Sequence, residues 1–171
     1  MLRVYLAAPY LDAPRVRDLD TELDALGIDV TSTWAHAASG AEALGAMPVD
    51  EVRRIALAND RDLLGAHLLV ALACDGAGAE MFAETRLALA HRIPVLWVGT
   101  RRPLSAYREG VLRVASLAEG MIFLCGFGDI VRDLPPFEKR KARETLWDVI
   151  EAMDDEPDAP PHPVRGPARV A

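Results

Sequence analysis

The sequence predicts an α/β domain built on a single, mostly parallel sheet with helices on both faces. Three observations lead there. The runs His67–Cys74 and Ile93–Val98 are apolar throughout, without in-and-out alternation, as strands are when both their faces are covered. The stretch between them, Asp75-Gly-Ala-Gly78 and then about 79–91, is a Gly-rich turn followed by a helix, so the two runs are joined by a crossover. The first 32 residues repeat the scheme as strand, helix and strand, which favours parallel pairing with a right-handed connection.

Leu2 to Ala8 is the first strand. Pro9 to Pro14 is a loop, because two prolines do not fit a central strand or a helix interior. Val16, Leu19, Leu23 and Leu26 then recur at helical spacing, and Gly27 supplies the residue after the cap, giving a helix over about 14–26. Ile28 to Ser32 is a short second strand. Residues 33–48 hold no sustained period and read as a long loop at the top of the sheet. Val49, Val52, Ile55 and Ala56 mark a helix over about 49–65, followed by a third strand over 67–73, a helix over 79–91 and a fourth strand over 93–98. Val111 to Val114 is a fifth, edge strand. Ser116 caps a helix reaching about Leu124, with Gly126 and Gly128 expected to end it. A further amphipathic helix follows Pro135-Pro136, with Leu146, Val149, Ile150 and Met153 on one face. The strand and helix order is flavodoxin-like, or Rossmann-like, in outline. The domain division expected is an α/β unit over 1–128, a helical extension over 129–153, and a proline-rich tail over 154–171 too poor in large apolar residues to fold alone.

The chain has 171 residues, of which 51% are hydrophobic, enough for one domain with a proper core. A net charge of −7 argues against binding nucleic-acid polymers, which needs a basic footprint. No apolar run approaches the roughly 18 residues of a membrane span, and the N-terminus opens directly on a strand without a signal-peptide pattern. Cys74 and Cys125 each lie in apolar surroundings and read as buried free thiols of a reducing, cytoplasmic compartment. The four histidines show no metal-ligand spacing, and no cofactor or metal is expected.

The candidate site is the stretch Asp75 to Ala88. Open α/β sheets bind ligands outside the carboxyl ends of their strands. Gly76 and Gly78 let a ligand approach the backbone there, and free N–H groups at the helix start can hold an anion or sugar hydroxyls. Glu80 and Glu84 are four apart and share a helix face. That spacing suits a solvated face near a helix N-terminus as well as a carboxylate aimed at the sheet mouth. Tyr5, among apolar neighbours, is either a core tyrosine or a phenol bonded to a catalytic carboxylate. Asp75 at the strand end is placed to touch a ligand. Asp60 and Asp62 read as helix surface charge beside Arg61. Trp34, in the long loop, either stacks on a flat ligand or anchors the loop. His67, beginning a strand, reads as structural.

Together these pieces resemble the nucleoside 2-deoxyribosyltransferase family in its short bacterial and phage-type form. Val4-Tyr5-Leu6-Ala7-Ala8-Pro9 is similar to that family's first strand and alanine-proline turn, and Val30 to Trp34 to its second strand and Trp-bearing loop. Asn59 to Leu72, Gly78 to Ala88 and His91 to Gly99 resemble its helix-to-strand passage, catalytic turn and return strand. The resemblance covers about residues 2–125. It implies that Glu84, ten residues before Pro94, is the nucleophile, that Tyr5 positions it, and that Asp60, Asp75, Gly76, Gly78, Trp34, Ala8 and Pro9 meet the substrate. It implies transfer of deoxyribose from a 2′-deoxynucleoside to a second base, small-molecule nucleosides and bases as partners, and a homo-oligomer. Hydrolysis of the N-glycosidic bond and a non-catalytic sensing role are the alternatives. Arg86 departs from the family's glycine, Glu80 is an added carboxylate, and residues 76–79 lack the serine that phosphate-binding members often carry.

Overall fold

A computed structural model describes residues 1–37, 47–73, 78–100, 103–135 and 139–154. Five parallel strands form one sheet in the order β2-β1-β3-β4-β5, with β1 Arg3–Ala7, β2 Asp29–Val30, β3 Leu68–Leu72, β4 Val95–Val98 and β5 Val111–Val114. This is the flavodoxin-like order, with its switch point between β1 and β3. The helices are α1 Ala13–Ala25, the single turn α2 Trp34–Ala37, α3 Val49–Gly65, α4 Ala79–Ala90, α5 Leu117–Arg132 and α6 Lys139–Asp154.

The centre of the sheet follows from composition. Every residue of β3 and β4 is buried, as double coverage demands. Successive side chains on β4 alternate faces. Trp97 stacks on Phe82 of α4, 6.1 Å between ring centroids, while Leu96 and Val98 on the other face meet Gly120 of α5. The α4 and α5 layers therefore lie on opposite sides. Register places Tyr5 beside Leu69 and Leu69 beside Val95, two residues from Trp97, so Tyr5 shares the α4 face. Ala7 and Ala71 align with Trp97 on that face and leave it low near the carboxyl ends of β1 and β3.

The second strand is shorter than its pattern predicts. Its backbone ladder runs for two residues, after which Thr31 N donates to Val4 O at 2.8 Å. The Ser32 hydroxyl then takes over, accepting from Leu6 N at 2.6 Å. Helix α1 ends as expected. Gly27 sits at φ +72°, with Gly27 N bonded to Asp24 O and Ile28 N to Leu23 O, a Schellman closure.

The third quarter of the chain differs from expectation. Ser116 does cap α5, accepting from Glu119 N at 3.2 Å, but the helix runs through Gly126 and Gly128 to Arg132. Each mid-helix glycine costs about 1 kcal/mol. Burial of Leu124, Phe127 and Val131 on the same helix returns roughly 1.5–3 kcal/mol per side chain and outweighs it. The position 128 chosen as a boundary thus falls inside a continuous helix. Cys125, expected to be buried, is exposed on that helix. Cys74, Asp75 and Gly76 lie outside the described residues, as does the tail over 155–171.

Helix α6 docks on β5 through buried Leu146, Trp147 and Ile150, while Met153 of the expected apolar face is exposed. The Trp147 ring lies against Gly110, whose φ is +78°; a Cβ there would stand 2.4 Å from the ring. No helix among the described residues is long and apolar enough to cross a membrane.

Gly110→Ala therefore faces both a left-handed backbone and a ring it cannot displace. It is expected to destabilise the fold by about 2–4 kcal/mol, read as a lower urea midpoint with an unchanged slope. A midpoint within error of wild type would show that α6 does not hold this position.

Candidate active site

Sheet topology builds the site. The Ala8-Pro9 turn follows β1, and Gly78 opens the helix that follows β3, so both lie past the carboxyl ends of the two strands that flank the switch point. A cavity of about 290 Å³ opens there. Ala8, Pro9, Tyr10 and Trp34 form one wall, Val52, Ile55, Ala56 and Asn59 of α3 a second, and Gly78, Glu80, Met81 and Glu84 of α4 a third.

Helix α4 aims its carboxylates by phase. Met81, Thr85 and Ala88 are buried against the sheet at i, i+4 and i+7. Thr85 spends its hydroxyl on Met81 O at 2.8 Å. Glu84, one residue from Thr85, reaches the β1 side, where the Tyr5 hydroxyl donates to Glu84 Oε1 at 2.6 Å. That short, charge-assisted bond spans 79 residues of chain. Glu80, one turn earlier, is exposed and lines the same cavity.

The electrostatics are set by burial. Loss of water raises the Glu84 carboxyl to about 7, against an ordinary 4.5; the Tyr5 hydrogen bond pulls it down, and the charges of Glu80 and Asp60 push it up. The Tyr5 hydroxyl is pushed up from its ordinary value, first by burial and then by the neighbouring Glu84 charge. Tyr5 therefore remains a donor across the whole physiological range.

The other expected site residues distribute unevenly. Trp34 is buried, donates Nε1 to Leu6 O at 2.9 Å and stacks on Tyr10 at 5.8 Å, so it is an anchor that presents part of its surface to the cavity. Asp60 is exposed and does not line the cavity, although its field reaches Glu84 and Tyr5; the adjacent Asn59 lines it instead. Asp62 accepts from Thr33 N and Oγ1 and so ties the loop before α2 to α3. His67 accepts from Arg3 N through Nδ1, a structural role. Arg86 turns away into a separate groove with Arg92 and Trp147, so it does not share the cavity with Glu80. Among the described residues no three side chains of metal-ligating type cluster.

Tyr10 joins the site although its sequence pattern marks it only as a loop residue. Its hydroxyl is buried and has no hydrogen-bond partner among the described residues, although the ring lines the cavity. Its place beside Pro9 in a loop after β1 was the available signal. Val52 and Ile55 were read only as helix period, yet they form the cavity's apolar wall.

No protein-family model matches the chain, and no curated protein matches it significantly in sequence. Among solved structures, the fold is similar to a 2-deoxyribosyltransferase from Bacillus psychrosaccharolyticus, described as a biocatalyst for the synthesis of antiviral and antitumoral nucleosides. The two superpose with a TM-score of 0.56 at 14% identity, over 69% of this chain and 89% of the other. At that identity the likeness establishes the fold, which agrees with the strand order above.

The raised Glu84 carboxyl has a consequence for stability. Between about pH 4.5 and 7 the folded protein keeps a proton that the unfolded chain has lost, so Glu84 costs stability as pH rises, and the cost is complete above 7. Glu84→Gln removes it while keeping an acceptor for Tyr5. The variant is expected to match wild type near pH 4.5 and to exceed it by up to about 3 kcal/mol near pH 8, measured by urea unfolding at both values. An equal difference at the two pH values would mean that Glu84 is not held in this way.

Proposed function

We propose that the chain cleaves the N-glycosidic bond of 2′-deoxynucleosides and transfers the deoxyribosyl group to another nucleobase. The observation that carries this reading is Glu84, a half-buried carboxylate held at 2.6 Å by a tyrosine on the wall of a cavity at the switch point. The family resemblance of the sequence and the fold shared with a 2-deoxyribosyltransferase support it.

In the proposed reaction one Glu84 oxygen forms a bond to the anomeric carbon while the carbon–nitrogen bond breaks. The electron pair goes to the departing base, which takes up a proton. A nitrogen of the incoming base then attacks the same carbon, releases its proton and frees Glu84. Both steps pass through an oxocarbenium-like state, as in retaining glycoside cleavage. Deoxyribose lacks the electron-withdrawing 2′-hydroxyl and bears that charge readily. Tyr5 holds the carboxylate, Val52, Ile55 and Trp34 offer apolar surface for a flat base, and Asn59 offers an amide for its edge. Asp75, which follows β3 in the sequence, is the acid proposed for the departing base, while Asp60, outside the cavity, acts through its field alone. Water in place of the second base gives hydrolysis by the same first step.

Incubation with a deoxynucleoside and a different free base, followed by chromatography, is expected to show a new nucleoside. Free deoxyribose without a new nucleoside would assign hydrolysis, and binding without turnover would sink catalysis altogether. Glu84→Ala is expected to lose at least about 10³-fold in kcat. Because the nucleophile must be ionised, kcat/KM should rise with pH to a plateau, half-maximal near 7. Tyr5→Phe removes the one hydrogen bond that lowers Glu84 and should move that limb to higher pH. A limb left in place would deny Tyr5 its positioning role.

Tyr10→Phe separates substrate contact from folding. Its hydroxyl has no partner to lose among the described residues, so stability should hold or rise slightly, whereas KM should rise about 5–10-fold if the hydroxyl meets the sugar or base. An unchanged KM would remove Tyr10 from the substrate's partners.

A further inference from the structure

We propose that a basic trough at the amino ends of β4 and β5, on the edge of the sheet opposite the Glu84 cavity, binds a small phosphorylated molecule through its phosphate groups. Two adjoining grooves form it. One, of about 540 Å³, is lined by Arg86, Arg92 and Arg108 with Glu109 and Trp147. The other, of about 510 Å³, shares Ala90 and Arg92 and adds His91, Arg140 and Arg143 with Glu144. Five guanidinium groups thus face two carboxylates on a chain whose net charge is −7.

These guanidinium groups are not equally available. Arg140 is paired with Glu144 at 2.7 Å, and Arg143 donates to the carbonyls of Ala66 and Leu64, so both serve the fold. Arg86, Arg92 and Arg108 are exposed, and none is drawn into an ion pair with a carboxylate among the described residues. Three unpaired guanidinium groups around one concavity match a multiply charged phosphate, which they bind through forked, charge-assisted hydrogen bonds.

Backbone geometry marks Arg92 further. Helix α4 ends in the same Schellman closure as α1, with Arg92 N bonded to Leu89 O and Ile93 N to Ala88 O. In α1 the left-handed position is Gly27; in α4 it is Arg92, at φ +51°. A non-glycine residue there costs on the order of 1 kcal/mol. The side chain gained is a guanidinium lying 4.6 Å above the centroid of the Trp147 ring, at the junction of the two grooves. The closure hydrogen-bonds the Ala88 and Leu89 carbonyls of the last α4 turn. The acidity of the chain as a whole disfavours a long nucleic-acid backbone and leaves a compact ligand as the fit.

Sodium tripolyphosphate is the probe, because it has neither sugar nor base and so cannot report on the proposed nucleoside reaction. Calorimetric titration of the full chain, against sodium chloride of matched ionic strength, is expected to show saturable binding near one site. Orthophosphate should bind more weakly, since it spans fewer guanidinium groups. Arg92→Gly relieves the left-handed strain and so should fold at least as well as wild type, yet weaken tripolyphosphate about tenfold. Arg86→Gln with Arg108→Gln should weaken it at least as much and leave deoxynucleoside turnover unchanged. Binding no stronger than the chloride control, or the same affinity in Arg92→Gly and the double variant, overturns the site. A single-stranded oligonucleotide that binds more tightly than tripolyphosphate at the same salt would overturn its assignment to a small ligand.

Discussion

The bond from Tyr5 to Glu84 is where the fold and the site become one problem. One partner lies inside the sheet, on β1, and the other on the helix that follows β3. They meet only because β1 and β3 are neighbours, which is the arrangement that also opens a crevice between their connections. Burial makes the phenol keep its proton, which it donates to Glu84 in a hydrogen bond. One carboxylate oxygen of Glu84 is fixed by that donation. Preorganisation of this kind rests on rigid elements at both ends, a strand buried from Val4 to Ala7 and a helix locked by Met81, Thr85 and Ala88.

Holding a carboxylate there sets local forces against one another. Burial and the fields of Glu80 and Asp60 favour its neutral form, and the Tyr5 hydrogen bond favours the charged one. Hydrophobic burial through the sheet sustains the conflict, as sites commonly draw on the stability of the surrounding scaffold. The cavity's walls reflect the same division. Val52, Ile55 and Trp34 contribute apolar surface, while the polar groups are few and convergent.

Much of the architecture could be read from residues because parallel strands advertise themselves as unbroken apolar runs, and because α1 carries a clear period closed by Gly27. The pairing of Tyr5 with Glu84 was legible only as an option, since periodicity equally supports a solvated acidic face; register across the sheet decides which way Tyr5 points. What failed did so for identifiable reasons. Glycine's cost at 126 and 128 is real but smaller than the burial that Phe127 and its neighbours gain, and a local signal cannot weigh the two. Asp60 and Asn59 are adjacent, and a one-residue difference of about 100° in helix phase decides which lines the cavity. Helix α6 looked like an appendage because its fit against Gly110 links positions 37 residues apart (Gly110 to Trp147), which no local pattern encodes.

A carboxyl raised to about 7 looks at first like a poor nucleophile, because much of it is protonated at neutral pH. The relevant comparison is between the ground state and the transition state of the proposed reaction. The partial burial that makes the Glu84 anion costly also removes part of the water that would screen it. A positive charge developing on the sugar then meets an anion poorly stabilised beforehand, and the attraction gained is larger than a solvated carboxylate could provide. Glu80, exposed and one helical turn away, retains its water and lacks this leverage, although its charge helps to create it. Of two carboxylates on one helix face, the half-buried one bonded to Tyr5 is thus the better partner for the oxocarbenium ion of the proposed reaction, and the exposed one would serve by adding to the field.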